Sequence, residues 1–88
     1  MRQETLLKII GLMRKNLDFG FTISQISKLL NIGYVPAYNH VNEMEKEGIL
    51  KVAKIGNAKQ CTLNLEHAKT KHLLQELDIL RKEELFSK

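Results

Sequence analysis

Residues 21–50 read FTISQISKLLNIGYVPAYNHVNEMEKEGIL and predict two short helices joined by a tight turn, with a strand after the second helix. Ser24 has the side chain of a helix N-cap, so we expect it to start the first helix of the pair. The turn is expected at Asn31-Ile32-Gly33, with Ile32 plugging into the core between the helices. The expected buried positions of the first helix are Ile26, Leu29 and Leu30.

The second helix of the pair is expected to begin at Gly33 as its N-cap. This start places Pro36 in the first turn, where a missing backbone N–H costs little. Gly48 is expected to end the helix, and the strand begins at residue 49. The inward face is predicted from apolar residues spaced at four and three: Ala37, Val41 and Met44.

Residues 49–55 and 60–65 predict two strands around a turn at Gly56-Asn57-Ala58-Lys59. The Gly-Asn pair suits a hairpin because both residues tolerate positive φ. The short run 21–23 is a candidate third strand that would pair with this hairpin. The second strand alternates apolar and polar residues, as half-buried strands do: Cys61, Thr62, Leu63, Asn64 and Leu65.

Two apolar helices are predicted to flank this unit, at 3–17 and at about 66–86. The first has an apolar arc wider than one stripe, so it is either sandwiched in the domain or shared with a second chain. Asp18 and Gly20 are expected to end it.

The last helix would be about 30 Å long, too long to bury all its leucines on so small a core. A coiled-coil contact with a second chain would bury them. Folding back over the first helix of its own chain is the other interpretation, and the two are compatible. The expected dimer contacts are Leu6, Ile9, Leu73, Leu74, Leu77 and Leu80.

The composition is that of a small globular protein, with 88 residues of which 43% are hydrophobic and 27% charged. We expect a single domain over 1–88, in which 1–65 form the core and hairpin and 66–88 the C-terminal helix. Cys61 is the only cysteine, so an intrachain disulfide is excluded and a reducing cytoplasm is expected. No stretch approaches the roughly 20 apolar residues that span a bilayer, so no membrane contact is expected.

The net charge of +4 is unevenly distributed along the chain. Residues 19–42 contain one lysine and no acid, and residues 48–65 contain three lysines and no acid. Binding to phosphates requires a surface of this kind, without acids. Charge that serves only solubility is the other interpretation.

The order helix, short strand, helix, turn, helix, hairpin and long helix resembles the winged helix-turn-helix regulators, in particular compact types of the MarR and ArsR kind. FTISQISKLLNI resembles the "lT..eLa..lgi" stretch of these families, and VNEMEKEGIL resembles "v..Le..Gli". Thr62-Leu63 falls where they place "LT" after the wing. The likeness covers residues 20–65. It implies a mainly α (α+β) winged helix-turn-helix with a two- or three-stranded wing and a long C-terminal helix.

The resemblance implies a homodimer that binds double-stranded DNA and regulates transcription. The second helix would read base edges, since Asn pairs with adenine and Val or Pro contacts the thymine methyl, while Tyr and Lys contact phosphates. This face has no Arg for guanine, which favours A·T-containing sites. The related families usually carry Ser, Thr and Arg there. The candidate DNA contacts are Lys28, Tyr34, Val35, Pro36, Tyr38, Asn39, Asn42, Lys51, Lys54, Asn57 and Lys59.

These residues have other interpretations. Tyr34 and Tyr38 would also suit packing against the preceding helix, and hairpin lysines often protect a strand edge from pairing. The start Tyr34-Val35-Pro36 would equally fit the alternative function, a winged-helix protein–protein interaction module without DNA binding.

Catalytic chemistry is not expected from this sequence. It contains no Gly-rich phosphate loop, HExxH or CxxC, and no acid–base grouping stands out, so we expect neither an enzyme nor a cofactor. Cys61, His67 and His72 suggest a metal sensor. One cysteine and two histidines placed off a common helix face make a poor tetrahedral set, so no metal site is expected.

Overall fold

A computed structural model describes the backbone of residues 3–86 and the side chains of residues 4–80. Within this range the elements follow the predicted order of helices and strands. Their bounds are α1 Gln3–Met13, β1 Phe21–Thr22, α2 Ile23–Leu30, α3 Tyr34–Lys46, β2 Leu50–Ile55, β3 Ala58–Leu63 and α4 Ala68–Phe86.

The three strands form one antiparallel sheet in the order β1-β3-β2. The predicted third strand is confirmed, since Phe21 lies opposite Cys61 and Thr22 opposite Gln60. Strands β2 and β3, called the hairpin below, are joined by a two-residue turn, because Ile55 lies directly opposite Ala58. Only the glycine of the Gly-Asn pair uses positive φ, at +60°, which suits a type II′ turn.

Helix α1 ends at Met13, four residues earlier than the periodicity predicts. The N–H groups of Lys15 and Asn16 bond three residues back, to Leu12 and Met13, so the last turn tightens. The Asn16 side chain then bonds the Phe19 N–H at 3.2 Å and the Gly20 carbonyl at 3.3 Å. The Asn16 side chain thereby takes the place of backbone hydrogen bonds that would continue the helix.

Gly20 has φ +67° but lies in the loop before β1, rather than at the helix end. A Cβ at this position would sit 1.8 Å from the Cys61 carbonyl oxygen, so β3 requires glycine here.

Helix α2 is capped by Thr22, and the expected N-cap Ser24 is wrong. The Thr22 hydroxyl accepts from the Gln25 N–H at 3.2 Å, and the Gln25 side chain accepts from the Thr22 N–H at 2.9 Å. These reciprocal bonds are a capping box. Leu29 is 59% exposed rather than buried, because the inward face of the helix runs through Ile23, Ile26 and Leu30.

The turn 31–33 and the end of α3 are confirmed. Asn31 adopts the left-handed conformation at φ 54°, and Gly33 is the N-cap of α3. At the other end Gly48 has φ +82°, while the Ile49 N–H bonds the Met44 carbonyl at 2.9 Å. This bond and that of Gly48 to Glu45 form a Schellman motif, which turns the chain sharply into β2.

One apolar cluster holds these elements together. Helix α1 lies inside it, with Ile9, Ile10 and Met13 fully buried. The inward residues of α3 that the spacing predicts are confirmed, since Ala37, Val41 and Met44 are at most 1% exposed. Half-buried side chains pack around this cluster: Leu12, Phe21, Leu30, Ile32, Val52, Leu74 and Leu77.

Candidate nucleic-acid interface

The first turns of α3 present an aromatic and apolar surface. With the inward residues in the core, Tyr34, Val35 and Tyr38 remain 53%, 66% and 38% exposed. Pro36 and Asn39 are exposed beside them, and Asn42 is half-buried one turn further along. The two tyrosine rings stack on each other, with centroids 6.4 Å apart and planes 24° apart. Packing against α2 therefore does not bury them.

The hairpin brings positive charge to this surface. Lys54 lies directly opposite Lys59 across the β2–β3 ladder, so their side chains project from the same face of the sheet. The Lys59 Nζ lies over the Tyr38 ring, 5.6 Å from its centroid. This face is the one that carries Cys61 and Leu63 into the core further along β3, and it turns toward α3.

A groove of about 360 Å³ lies between the start of α2, the start of α3 and the hairpin tip. It unites predicted site residues from two separate elements, Tyr34 and Tyr38 of α3 with Asn57 and Lys59 of the hairpin. Its walls offer hydroxyl, amide and ammonium donors, which suit the oxygens of a phosphodiester.

Two other predicted lysines lie elsewhere. Lys51 alternates with Val52 along β2 and is exposed on the face of the sheet opposite Lys54 and Lys59. Lys28 is exposed in the last turn of α2, whereas the groove is bordered by the start of that helix. These two positions do not share the groove.

Sequence reasoning missed four residues that line the groove, three at the start of α2 and one in the hairpin: Thr22, Ile23, Ser24 and Ala58. The spacing Thr22-x-x-Gln25 is the signal that could have found those at the start of α2, since it is the capping-box pattern. A cap at Thr22 places Ser24 in the exposed first turn of α2, beside the tyrosines.

The residues predicted for dimer contacts divide by burial. Leu6, Ile9 and Leu73 are 5%, 0% and 4% exposed, so a partner chain has no access to Ile9 while the core is intact. Leu74 and Leu77 are half-buried against the same core. Leu80 is 42% exposed and borders a shallow apolar groove of about 580 Å³ between α1, α2 and α4.

Cys61, the free cysteine, is fully buried. Burial raises the pKa of the Cys61 thiol to about 11; the Glu45 carboxylate adds to this, and Lys59 partly opposes it. Among the side chains of residues 4–80, no group of three His, Cys, Asp or Glu could hold a metal ion. Within the described helices, none is long and apolar enough to cross a membrane.

Comparison with solved structures shows which fold this is. The antimony-specific transcriptional repressor AntR matches with a TM-score of 0.75 over 93% of this chain and 71% of its own. The fold is a winged helix-turn-helix. Sequence identity to AntR is 14%, so the likeness concerns the fold. No protein-family profile and no curated protein sequence matches the chain.

Two further solved structures match. MepR of S. aureus, in a mutant form bound to an oligodeoxyribonucleotide, has a TM-score of 0.72 at 15% identity and covers 96% of this chain. The chain spans 63% of the length of MepR. Sso10a-2, a DNA-binding protein from Sulfolobus solfataricus, has a TM-score of 0.63 at 22% identity, with 92% of this chain and 84% of its own covered. None of the three matched proteins is described as an enzyme.

Proposed function

We propose that the chain is a cytoplasmic transcriptional regulator that binds double-stranded DNA sequence-specifically as a homodimer. The observation that carries the proposal is the groove between α3 and the hairpin, where exposed tyrosines meet Lys59 beside a second lysine, Lys54. Solved structures of DNA-binding proteins with the same fold support it.

In this proposal α3 enters the major groove with the exposed residues of its first two turns. Val35 and Pro36 would contact thymine methyl groups, and Asn39 would pair with adenine. One strand of the DNA backbone would then lie in the groove between α3 and the hairpin, with Lys59 and the Tyr34 hydroxyl on its phosphates. Asn57 would reach the flanking minor groove. The absence of Arg from the described face of α3 supports a preference for A·T-containing sites.

The electrostatic contribution is set by the lysines that reach the backbone. Two phosphates per subunit, on Lys54 and Lys59, give a dimer a slope of log K against log salt near −4 by the factor of about 0.9 per phosphate. Including Lys28 and Lys51 makes the slope about −7. A measured slope therefore reports whether the two distant lysines take part.

Binding of a fluorescent random duplex at low salt tests the proposal by anisotropy. We expect micromolar or tighter affinity for the wild type and at least a tenfold loss for Lys54→Glu with Lys59→Glu. The matched control is Lys8→Glu with Lys15→Glu, which makes the same change of charge at the apolar groove between α1 and α4. Equal losses of affinity in both double variants would show that only the net charge of the protein matters. A wild type that does not bind the duplex would overturn the proposal.

The dimer is proposed to form through α4, with Leu80 and Ile79 as its exposed contacts and Leu77 at their base. Light scattering of Leu80→Glu measures this role without disturbing the core, and we expect the mass to fall to that of one chain. Leu65→Glu is the control, since Leu65 is also 42% exposed but does not border that apolar groove. An unchanged mass for Leu80→Glu would remove α4 from the interface.

A second function rests on the apolar character of the α3 face. Val35 is 66% exposed and Tyr34 53%, which also suits a protein partner. Lack of duplex binding, together with saturable binding of a protein that Val35→Asp abolishes, would favour that interaction module.

A further inference from the structure

Tyr38 and Lys59 join α3 to the hairpin through a contact that the proposed DNA binding does not require. The Lys59 ammonium lies over the ring of Tyr38, and Tyr34 stacks on that same ring. Tyr38 is 38% exposed and Lys59 is exposed as well, so both the ring and the lysine remain open to solvent and to a ligand in the groove.

The surroundings of Lys59 explain why this contact forms. Lys54 is its direct cross-strand neighbour, and two like charges in that position repel each other. Among the described side chains, neither Lys54 nor Lys59 forms an ion pair with a carboxylate, unlike Lys8, Arg14 and Lys69. The negative face of the tyrosine ring supplies the attraction.

We infer that Tyr38 is a positioning residue, which holds the Lys59 ammonium at the α3 side of the groove, ready for a backbone phosphate. The inference rests on the proposed DNA binding. An ammonium group over a ring keeps N–H donors directed away from it, and these can bond phosphate oxygens. A lysine that is already held loses less side-chain freedom on binding than a free one. The expected gain is about two- to fivefold in affinity, the usual range for an exposed cation–π contact.

A double-mutant cycle on duplex affinity tests this role. Tyr38→Leu removes the aromatic face and keeps a side chain of similar bulk, and Lys59→Met removes the charge. We expect Tyr38→Leu to weaken binding about two- to fivefold when Lys59 is present and to change it by less than about 1.5-fold in the Lys59→Met background. A direct contact of Tyr38 with DNA would weaken binding equally in both backgrounds and would overturn the inference.

Tyr38→Phe separates the ring from its hydroxyl. Phenylalanine keeps the face for the ammonium, so we expect affinity within about 1.5-fold of wild type. A loss as large as that of Tyr38→Leu would assign the effect to the hydroxyl and contradict a positioning role. Thermal unfolding of each variant excludes loss of fold as the cause.

The contact is also measurable without DNA. The Lys59 Cε protons should resonate upfield of free lysine in wild type and Tyr38→Phe, because of the ring current, and return to the free value in Tyr38→Leu. Lys51, on the other face of the sheet, is the internal reference. Free-lysine shifts in the wild type would refute the inference while leaving DNA binding intact. A wild type without duplex affinity would instead refute the proposed function, and the positioning role with it.

Discussion

Gly48 and His67 form a close contact whose disruption should be measurable as a loss of stability. Gly48 has φ +82°, and a Cβ there would lie 2.8 Å from both Cδ2 and Nε2 of the His67 ring. Gly48→Ala therefore introduces left-handed strain of about 1–2 kcal/mol, offset by about 0.4–1 kcal/mol because alanine restricts the unfolded chain.

The imidazole cannot move away without a further loss. Its Nδ1 accepts the Lys69 N–H at 3.2 Å, in the first turn of α4. Breaking this bond costs about 0.5–1.5 kcal/mol. We expect Gly48→Ala to lower the free energy of unfolding by about 1.5 kcal/mol, which corresponds to a fall in Tm of about 6–12 °C for a domain of this size.

Urea unfolding of the two single variants and of Gly48→Ala with His67→Ala checks this reasoning. His67→Ala removes the ring, so Gly48→Ala should then cost only its backbone strain. We expect its cost in the His67→Ala background to be about 0.5–1.5 kcal/mol smaller than in wild type. Effects that add to within about 0.3 kcal/mol would show that the ring does not restrict Gly48, and would refute the argument.

Three further outcomes are expected. Thr22→Ala should cost about 1 kcal/mol because it breaks the capping box, whereas Ser24→Ala should be nearly neutral; equal costs in urea unfolding would contradict the cap assignment. Leu29→Lys should change stability by less than about 0.5 kcal/mol, while Ile26→Lys should unfold the chain, as circular dichroism would report. A pKa of about 11 for Cys61 leaves about a hundredfold less thiolate at pH 8 than the ordinary value of 9.0, so a thiol reagent should label the native chain far more slowly than the urea-unfolded one. The sign of the shift means that the folded state also loses stability as pH rises from 9 toward 11, and a flat profile there would contradict it.

The order of the elements could be predicted because apolar periodicity records it directly. Ala37, Val41 and Met44 repeat at helical spacing and are all buried. What periodicity cannot give is the point at which a helix starts or stops. Two side-chain hydrogen bonds decided the start of α2 at Thr22, and the Asn16 side chain organised the loop after α1.

The candidate site was only partly predictable for a different reason. Alternation along a strand tells which lysines share a face, and it separates Lys51 from Lys54 and Lys59. The contact of Lys59 with Tyr38 depends on the position of the hairpin relative to α3, which the local sequence pattern does not determine. Likewise, the sequence shows that α1 is apolar on most sides. Only the packing shows that the core of the same chain, rather than a second chain, covers Ile9.

The start of α4 is bonded to the segment that joins α3 to the hairpin. The Asn64 N–H and the Thr70 hydroxyl both donate to the Ile49 carbonyl, at 2.9 Å and 3.3 Å. The Lys69 ammonium pairs with the Glu47 carboxylate at 2.5 Å, at the end of α3. These bonds span the point where Gly48 reverses the chain, so α4 and α3 are connected by more than the covalent backbone.

This connection has a consequence for the proposed dimer. If α4 carries the interface, the Gly48 junction helps to set the orientation of each α3 relative to the dimer axis, together with the packing of α4 on α1. Weakening the junction should then broaden the range of half-site spacings that the dimer accepts, while contacts within each half-site stay unchanged. Gly48→Ala is the variant that separates these effects, because it strains the junction and leaves Tyr38 and Lys59 untouched. Selection of duplexes with variable spacers would measure the range, and identical spacing preferences in wild type and variant would show that the junction does not set this geometry.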